Sequence, residues 1–247
     1  MKHLVIFGDS WCYGDELGES YRQPEGDSYR LKHCFAGLMA QHYGLELVNY
    51  AYPGNSVPGT VRDFFFWLNY SNEWRESLVL VGYTHPSRTT WPLADDFPKP
   101  TWNQKTRLGD EPSWVDRLPS RMGFHSTYLE GNKVPPPMDR IQRLNQEWRV
   151  HCHNEQIDWI DYQQAVYSVW GTCQLQNIKL LQFNLYDEPA LQLLPDTLIR
   201  APSLDNLLKR SGQDSELRAP EMHPNEQGHK LVSDFLIFQI SSRKMLG

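Results

Sequence analysis

A chain of 247 residues with 40% apolar and 22% charged side chains can bury one large core, so a single globular domain spanning 1–247 is expected rather than a disordered chain. Its net charge of −6 argues against a nucleic-acid binder, which needs a basic face to displace counterions from phosphates. No apolar stretch approaches the ~20 residues that span a bilayer. The four-residue apolar run at the N-terminus is too short for a secretion-signal core, so a cytoplasmic protein with no membrane partner is expected.

Leu4–Phe7 is apolar on every residue and closed by Gly8, which suits a parallel strand buried on both faces. Leu31 to Tyr43 has helical spacing through Leu31, Phe35, Leu38 and Met39, with Gly44 as the stop. Leu45–Ala51 reads as a second strand, and the turn-rich "YPGNSVPG" follows it. Thr60 to Tyr70 reads as a helix with Val61, Phe64, Phe65 and Leu68 on one face. Ser77–Tyr83 is a third strand. Strand, helix, strand, helix, strand at this spacing means βαβ units and a parallel α/β sheet.

From about residue 84 to 137 the pattern breaks. Prolines recur, Trp91, Trp102 and Trp114 interleave with them, and no helix or strand is expected; the segment reads as an insertion over one sheet edge. Helical character runs from Asp139 to Asn177, with a break near His153–Glu155 left open, Ile178–Asn184 is a fourth strand, and residues 185–222 are mostly loop. That loop holds a short helix at Ser203–Arg210 that Ser203 is placed to cap. An amphipathic helix from Glu226 to Arg243 closes the chain. Cys12, Cys34, Cys152 and Cys173 form no Cys-x-x-Cys pair and are expected to be reduced, packed thiols. The "HCH" at His151–His153 puts its side chains on different faces of a helix, so no metal site is expected.

Ligands of an open parallel sheet bind beyond the C-terminal strand ends. Strand one ends at Gly-Asp-Ser10, strand two near Gly54-Asn55-Ser56, strand three at Gly82-Tyr83-Thr84-His85. His223 lies on a loop before the last helix, in "PEMHPNEQGH". A serine hydroxyl is a poor nucleophile until a base takes its proton, and an imidazole titrating near neutrality is the natural base. Pro224 holds His223 out of helical geometry at the helix entrance. Asp9 suits an N–H-accepting brace of the first turn, and His229 a packing or hydrogen-bonding role inside the last helix.

"FGDSWCYGDE", "NYAYPGNS" and "HPNEQGH", in this order and at these positions, resemble the blocks of the SGNH (GDSL-type) hydrolase family. The resemblance covers residues 1–88 and 178–243. It implies a flavodoxin-like three-layer α/β/α fold with a parallel sheet of about five strands. It also implies hydrolysis of an ester or amide through a serine acyl-enzyme with no cofactor, the expected substrate being an ester on a small molecule or a glycan. Ser10 would be the nucleophile and His223 the base, and the backbone N–H groups of Ser10 and Gly54 would be oxyanion donors.

Two positions depart from the pattern. The family's third block is Gly-x-Asn-Asp, whose Asn donates to the oxyanion; Thr84 stands there, with Asn55 as a substitute donor. The family's Asp three residues before the histidine is Pro220 here, which leaves Glu221 as the nearest acid to orient the ring. A lost oxyanion donor costs ~10²–10³ in rate and a lost orienting acid ~10⁴. The alternative is therefore an impaired SGNH-fold binding or structural module. "GYTHPSR" resembles divergent SGNH-like proteins of bacteriophages, which would make that module a virion or tail component; a homo-oligomer is left open. Arg88 is a candidate to bind a polar or anionic substrate group, although a surface salt bridge is the plainer reading; Trp91, with Trp102 and Trp114, is a candidate platform for a sugar, with lid packing the plainer reading.

Overall fold

The computed structural model describes residues 1–18, 24–86, 88, 90–92, 124–126, 155–187, 195–199, 202–220 and 222–246. The chain opens with β1 (His3–Phe7) and a four-residue α1 (Ser10–Tyr13), then α2 (Pro24–His33), α3 (Phe35–Tyr43), β2 (Glu46–Asn49), α4 (Val57–Tyr70) and β3 (Ser77–Tyr83). Next come β4 (Thr90–Pro92), β5 (Phe124–Ser126), α5 (Glu155–Leu175), β6 (Lys179–Asn184), β7 (Leu198–Ile199), α6 (Leu204–Arg210) and α7 (Glu226–Ser242).

The main sheet has five strands in the order β2-β1-β3-β6-β7, and every pairing in it is parallel. Alternation along each strand splits the apolar side chains between two cores. Leu4 and Ile6 of β1 join Leu78 and Leu80 of β3 against α3 and α7. Val5 and Phe7 join Val79 and Val81 against α4 and α5. Strands apolar on both faces between two helical layers make a three-layer α/β/α fold. Counting main-sheet strands in chain order, the arrangement is 2-1-3-4-5, whose crevice opens between the ends of β1 and β3.

Those two ends pack closely. A Cβ on Gly8 would lie 2.4 Å from the Cys12 sulfur, and so would one on Gly82. The buried Cys12 thiol fills the gap between the strand ends, which is why glycine stands at both. Burial pushes its pKa well up, reinforced by the nearby Asp9 carboxylate, so it is a packed, inert thiol. Cys34 and Cys173 are likewise free and buried. Cys152 and the rest of the "HCH" cluster lie outside the described residues, and no metal-ligand cluster occurs among the described ones.

Three expectations are corrected. The helix read over Leu31–Tyr43 is two helices. Cys34 leaves helical geometry (φ −65°, ψ 156°) and its sulfur accepts from the Gly37 N–H to cap α3. Within 84–137, where no strand was expected, β4 and β5 pair antiparallel; three residues with a proline are too few to show a two-residue period. The two-residue β7 completes the sheet from a stretch read as loop, held by parallel pairing to Gln182 and Phe183. Trp102 and Trp114 lie outside the described residues. No helix among the described residues is long and apolar enough to cross a membrane.

Gly228, in the first turn of α7, sets a tight approach: a Cβ there would lie 2.3 Å from the Leu217 carbonyl oxygen, a backbone atom. Gly228→Ala is expected to destabilise the protein by about 1–3 kcal/mol through overpacking, read as a lower urea midpoint at unchanged m.

Candidate active site

Asp9 ends β1's run into the crevice. Its carboxylate caps α1 by accepting from the Trp11 N–H at 3.0 Å. Its other oxygen receives Arg88 Nη1 at 2.7 Å. The two side chains are 0% and 9% exposed, so this is a buried ion pair bracing the first turn against the chain beyond β3, not a surface one. Arg88 also lines the cavity over the site. Trp91 has only its backbone described, within β4.

Ser10 is the first residue of α1 and is buried. A first-turn N–H has no intrahelical acceptor. His223 arrives from the other end of the chain on a loop tied in several places. The Ala219 N–H donates to the His223 carbonyl at 2.8 Å, and the Asn225 N–H to the Leu217 carbonyl at 2.9 Å. Asn225 then caps α7, its side chain accepting from the Gln227 and Gly228 N–H groups.

The result is a hydrogen-bonded chain of three side chains. His223 Nε2 lies 2.9 Å from Ser10 Oγ. His223 Nδ1 lies 2.7 Å from Glu16 Oε2, which also accepts the His223 backbone N–H at 3.3 Å. The Glu16 side chain is 6% exposed and that of His223 16%. A carboxylate can only accept, so Nδ1 carries the ring proton and donates it in a hydrogen bond to Glu16, which leaves Nε2 with a lone pair facing the serine hydroxyl.

The ring's partner among the described residues is Glu16; Glu221, the expected orienting acid, lies outside them. Glu16 sits in the turn after α1, with left-handed φ of 65°; Met222, just before His223, has φ of 72°. Non-glycine residues in this region are strained and cluster at functional sites. Here the two strained turns are the ones that bring acid and imidazole together.

On the other side of Ser10, Gly54 lines the cavity in a left-handed conformation (φ 76°). Asn55, expected as a side-chain donor, is turned away. Its amide donates to the Gly8 carbonyl at 3.2 Å and to Asp63 at 3.4 Å, tying the second loop to the first. Thr84 is fully buried; its hydroxyl has no hydrogen-bond partner among the described residues and takes no part in the cavity wall.

His229 lies behind the site. Its Nδ1 accepts from the Phe35 N–H at 3.2 Å, joining α7 to α3. Burial, with a smaller contribution from His223, lowers its pKa to about 3. The folded value lies below the ordinary one, so the unfolded chain takes up the proton first as pH falls. Stability is complete above the unfolded pKa and is lost progressively as pH drops toward 3. Between about pH 7 and pH 4.5 this residue should remove roughly 2–3 kcal/mol. Urea melts at the two pH values test it: His229→Asn, which keeps an acceptor for Phe35, should show a shallower loss than the wild type.

The cavity over Ser10 has a volume of about 820 Å³, within the ordinary range for small-molecule sites. Ser10, Gly54, Arg88 and His223 share its wall, which puts hydroxyl, imidazole and Gly54 backbone around one space.

No protein-family model and no curated protein matches the sequence. Solved structures similar to the chain include the psychrotrophic esterase EstA from Pseudoalteromonas sp., 12% identical over 98% of both chains with a TM-score of 0.45. Another is a member of the lipolytic protein G-D-S-L family from Veillonella parvula, 16% identical over 94% of both chains with a TM-score of 0.37. A third is a carbohydrate esterase, 12% identical, the match covering 98% of this chain and 65% of that one with a TM-score of 0.37.

Proposed function

We propose that the chain is a divergent SGNH-type serine ester hydrolase that removes an O-acyl group, from a carbohydrate among other alcohols, through an acyl-enzyme. The observation that carries this reading is the unbroken Ser10–His223–Glu16 chain opening onto a cavity. As the Ser10 oxygen attacks the acyl carbon, Nε2 takes the hydroxyl proton, and the imidazolium is held by the Glu16 carboxylate. The carbonyl π bond opens to an oxyanion, which the Ser10 and Gly54 backbone N–H groups receive. Collapse expels the alcohol, protonated by Nε2–H. Water, deprotonated by the same nitrogen, then attacks the acyl-serine; the C–Oγ bond breaks, the acid leaves, and Nε2 returns the proton to Ser10 Oγ.

Glu16 supplies the orienting acid that the sequence blocks lack, so the largest expected deficit is made up from another part of the chain. Incubation with a fluorophosphonate should phosphonylate Ser10 in the wild type, found by peptide mapping. No adduct on Ser10 in the folded protein would reject the hydrolase in favour of a binding or virion module on the same fold.

A further inference from the structure

Beside the serine and histidine the cavity wall carries a group of charged side chains. α6 contributes Asp205 and Lys209, and the loop that carries His223 contributes Arg218. The backbone fixes this wall: the Asp205 N–H donates to the Leu185 carbonyl at the end of β6 at 2.9 Å. Arg218, only 5% exposed, gives Nη2 to Asp205 and Nε to Asp214, both at 2.7 Å, and Nη1 to the Met222 carbonyl at 3.0 Å. Its donors are thus committed to Asp205 and Asp214 and to closing the His223 loop.

Lys209 is different. Its ammonium meets the other Asp205 oxygen at 2.6 Å, yet the side chain is 58% exposed. An ammonium has three donors, and Asp205 is its hydrogen-bond partner among the described residues, which leaves two N–H groups for the cavity. The Asp205 hydrogen bond raises the Lys209 pKa, so the group stays charged across the neutral range. A fixed carboxylate acceptor and an ammonium donor therefore stand side by side, close to the separation of hydroxyl oxygens on neighbouring carbons.

We propose that Asp205 and Lys209 form a subsite for a vicinal diol of the alcohol part of the substrate: one hydroxyl donates to Asp205 and its neighbour accepts from Lys209. This deepens the hydrolase reading and rests on it for the acyl step. Trp11 and Tyr186, edge to face at 5.6 Å, both line the same cavity and offer apolar surface to the carbon skeleton of a polyol. Lys209 and Arg218 are paired with Asp205 and Asp214, two cations against two carboxylates, so the subsite selects hydroxyls rather than net charge. A long alkyl alcohol offers no acceptor to the two remaining Lys209 N–H groups and no donor to Asp205, while displacing the water that would otherwise serve them.

The test uses the whole chain with 6-O-acetyl methyl glucoside and n-hexyl acetate. The wild type should favour the glucoside ester in kcat/KM by about tenfold or more, and Lys209→Met should cut that ratio by about tenfold, the loss of one charged hydrogen bond. Lys209→Arg should retain part of the preference. A binding arm is independent of catalysis: methyl glucoside should give saturation-transfer NMR signals with Ser10→Ala that weaken in Ser10→Ala/Lys209→Met. Equal ratios in wild type and Lys209→Met, or equal signals in both Ser10→Ala proteins, would overturn the subsite. Failure of Ser10 to react with fluorophosphonate while methyl glucoside still binds through Lys209 would overturn the hydrolase and leave the diol subsite standing.

Discussion

Ser10→Ala is expected to lower kcat on p-nitrophenyl acetate by about 10⁴-fold or more while leaving the urea midpoint near the wild-type value. The hydroxyl is the only atom removed. The serine side chain caps nothing, since Asp9 caps α1, and the wild-type hydroxyl's partner is His223 Nε2. What remains is catalysis by backbone donors and binding, which in serine hydrolases is orders of magnitude below the intact constellation. His223→Gln should fall to a similar level, and the double variant should be no slower than either single one, because base and nucleophile act as a unit. Stopped assays with purified protein, normalised to folded fraction by circular dichroism, make the comparison.

Glu16→Gln separates this site from the one expected on resemblance alone. The Gln amide can donate to Nδ1 where the carboxylate could only accept, favouring the ring tautomer whose Nε2 carries the proton. That nitrogen then faces Ser10 with a donor instead of a lone pair. A loss of about 10³–10⁴ in kcat is expected, with KM little changed, since the fault lies in proton transfer rather than in binding. Glu221→Gln should stay within about twofold of wild type, because Nδ1 has one proton to give and Glu16 receives it. Kinetics on both variants decide the matter: a large loss in Glu221→Gln with Glu16→Gln near wild type would return the orienting role to Glu221.

Four of the five main-sheet strands are legible in the sequence, β3 most clearly because a strand buried on both faces appears as an unbroken apolar run and all seven of its residues are buried; the two-residue β7 is too short to show one. Ser10 and His223 were legible for a related reason, each being fixed by its own strand end or helix start. Glu16 was not. Its placement depends on the chain turning back after α1 through a left-handed non-glycine residue, a conformation without a residue-type signature for glutamate. The nearest clue is the acidic pair Asp15-Glu16 directly after Gly14, which caps α1 with φ 85°.

The break at Cys34 was hidden because apolar spacing continues across it; a cysteine cap is not among the strong helix-start signals. Asn55 was misread for an opposite reason. A side-chain amide next to a candidate oxyanion glycine invites a catalytic role, but its two amide hydrogens join Gly8 and Asp63, contacts set by tertiary packing alone. The ion pair of Asp9 with Arg88 was equally beyond local reading, since 79 positions separate its partners.

The most direct test of the Ser10–His223–Glu16 assignment is to trap the intermediate. The protein is mixed with excess p-nitrophenyl acetate, quenched in acid during turnover and mapped by peptide mass spectrometry. One acetyl group should be found on Ser10, accumulating in step with any nitrophenol burst and absent from His223→Gln. Turnover with no acetyl on Ser10 and its full persistence in Ser10→Ala, or acetyl carried by another residue, would contradict the account.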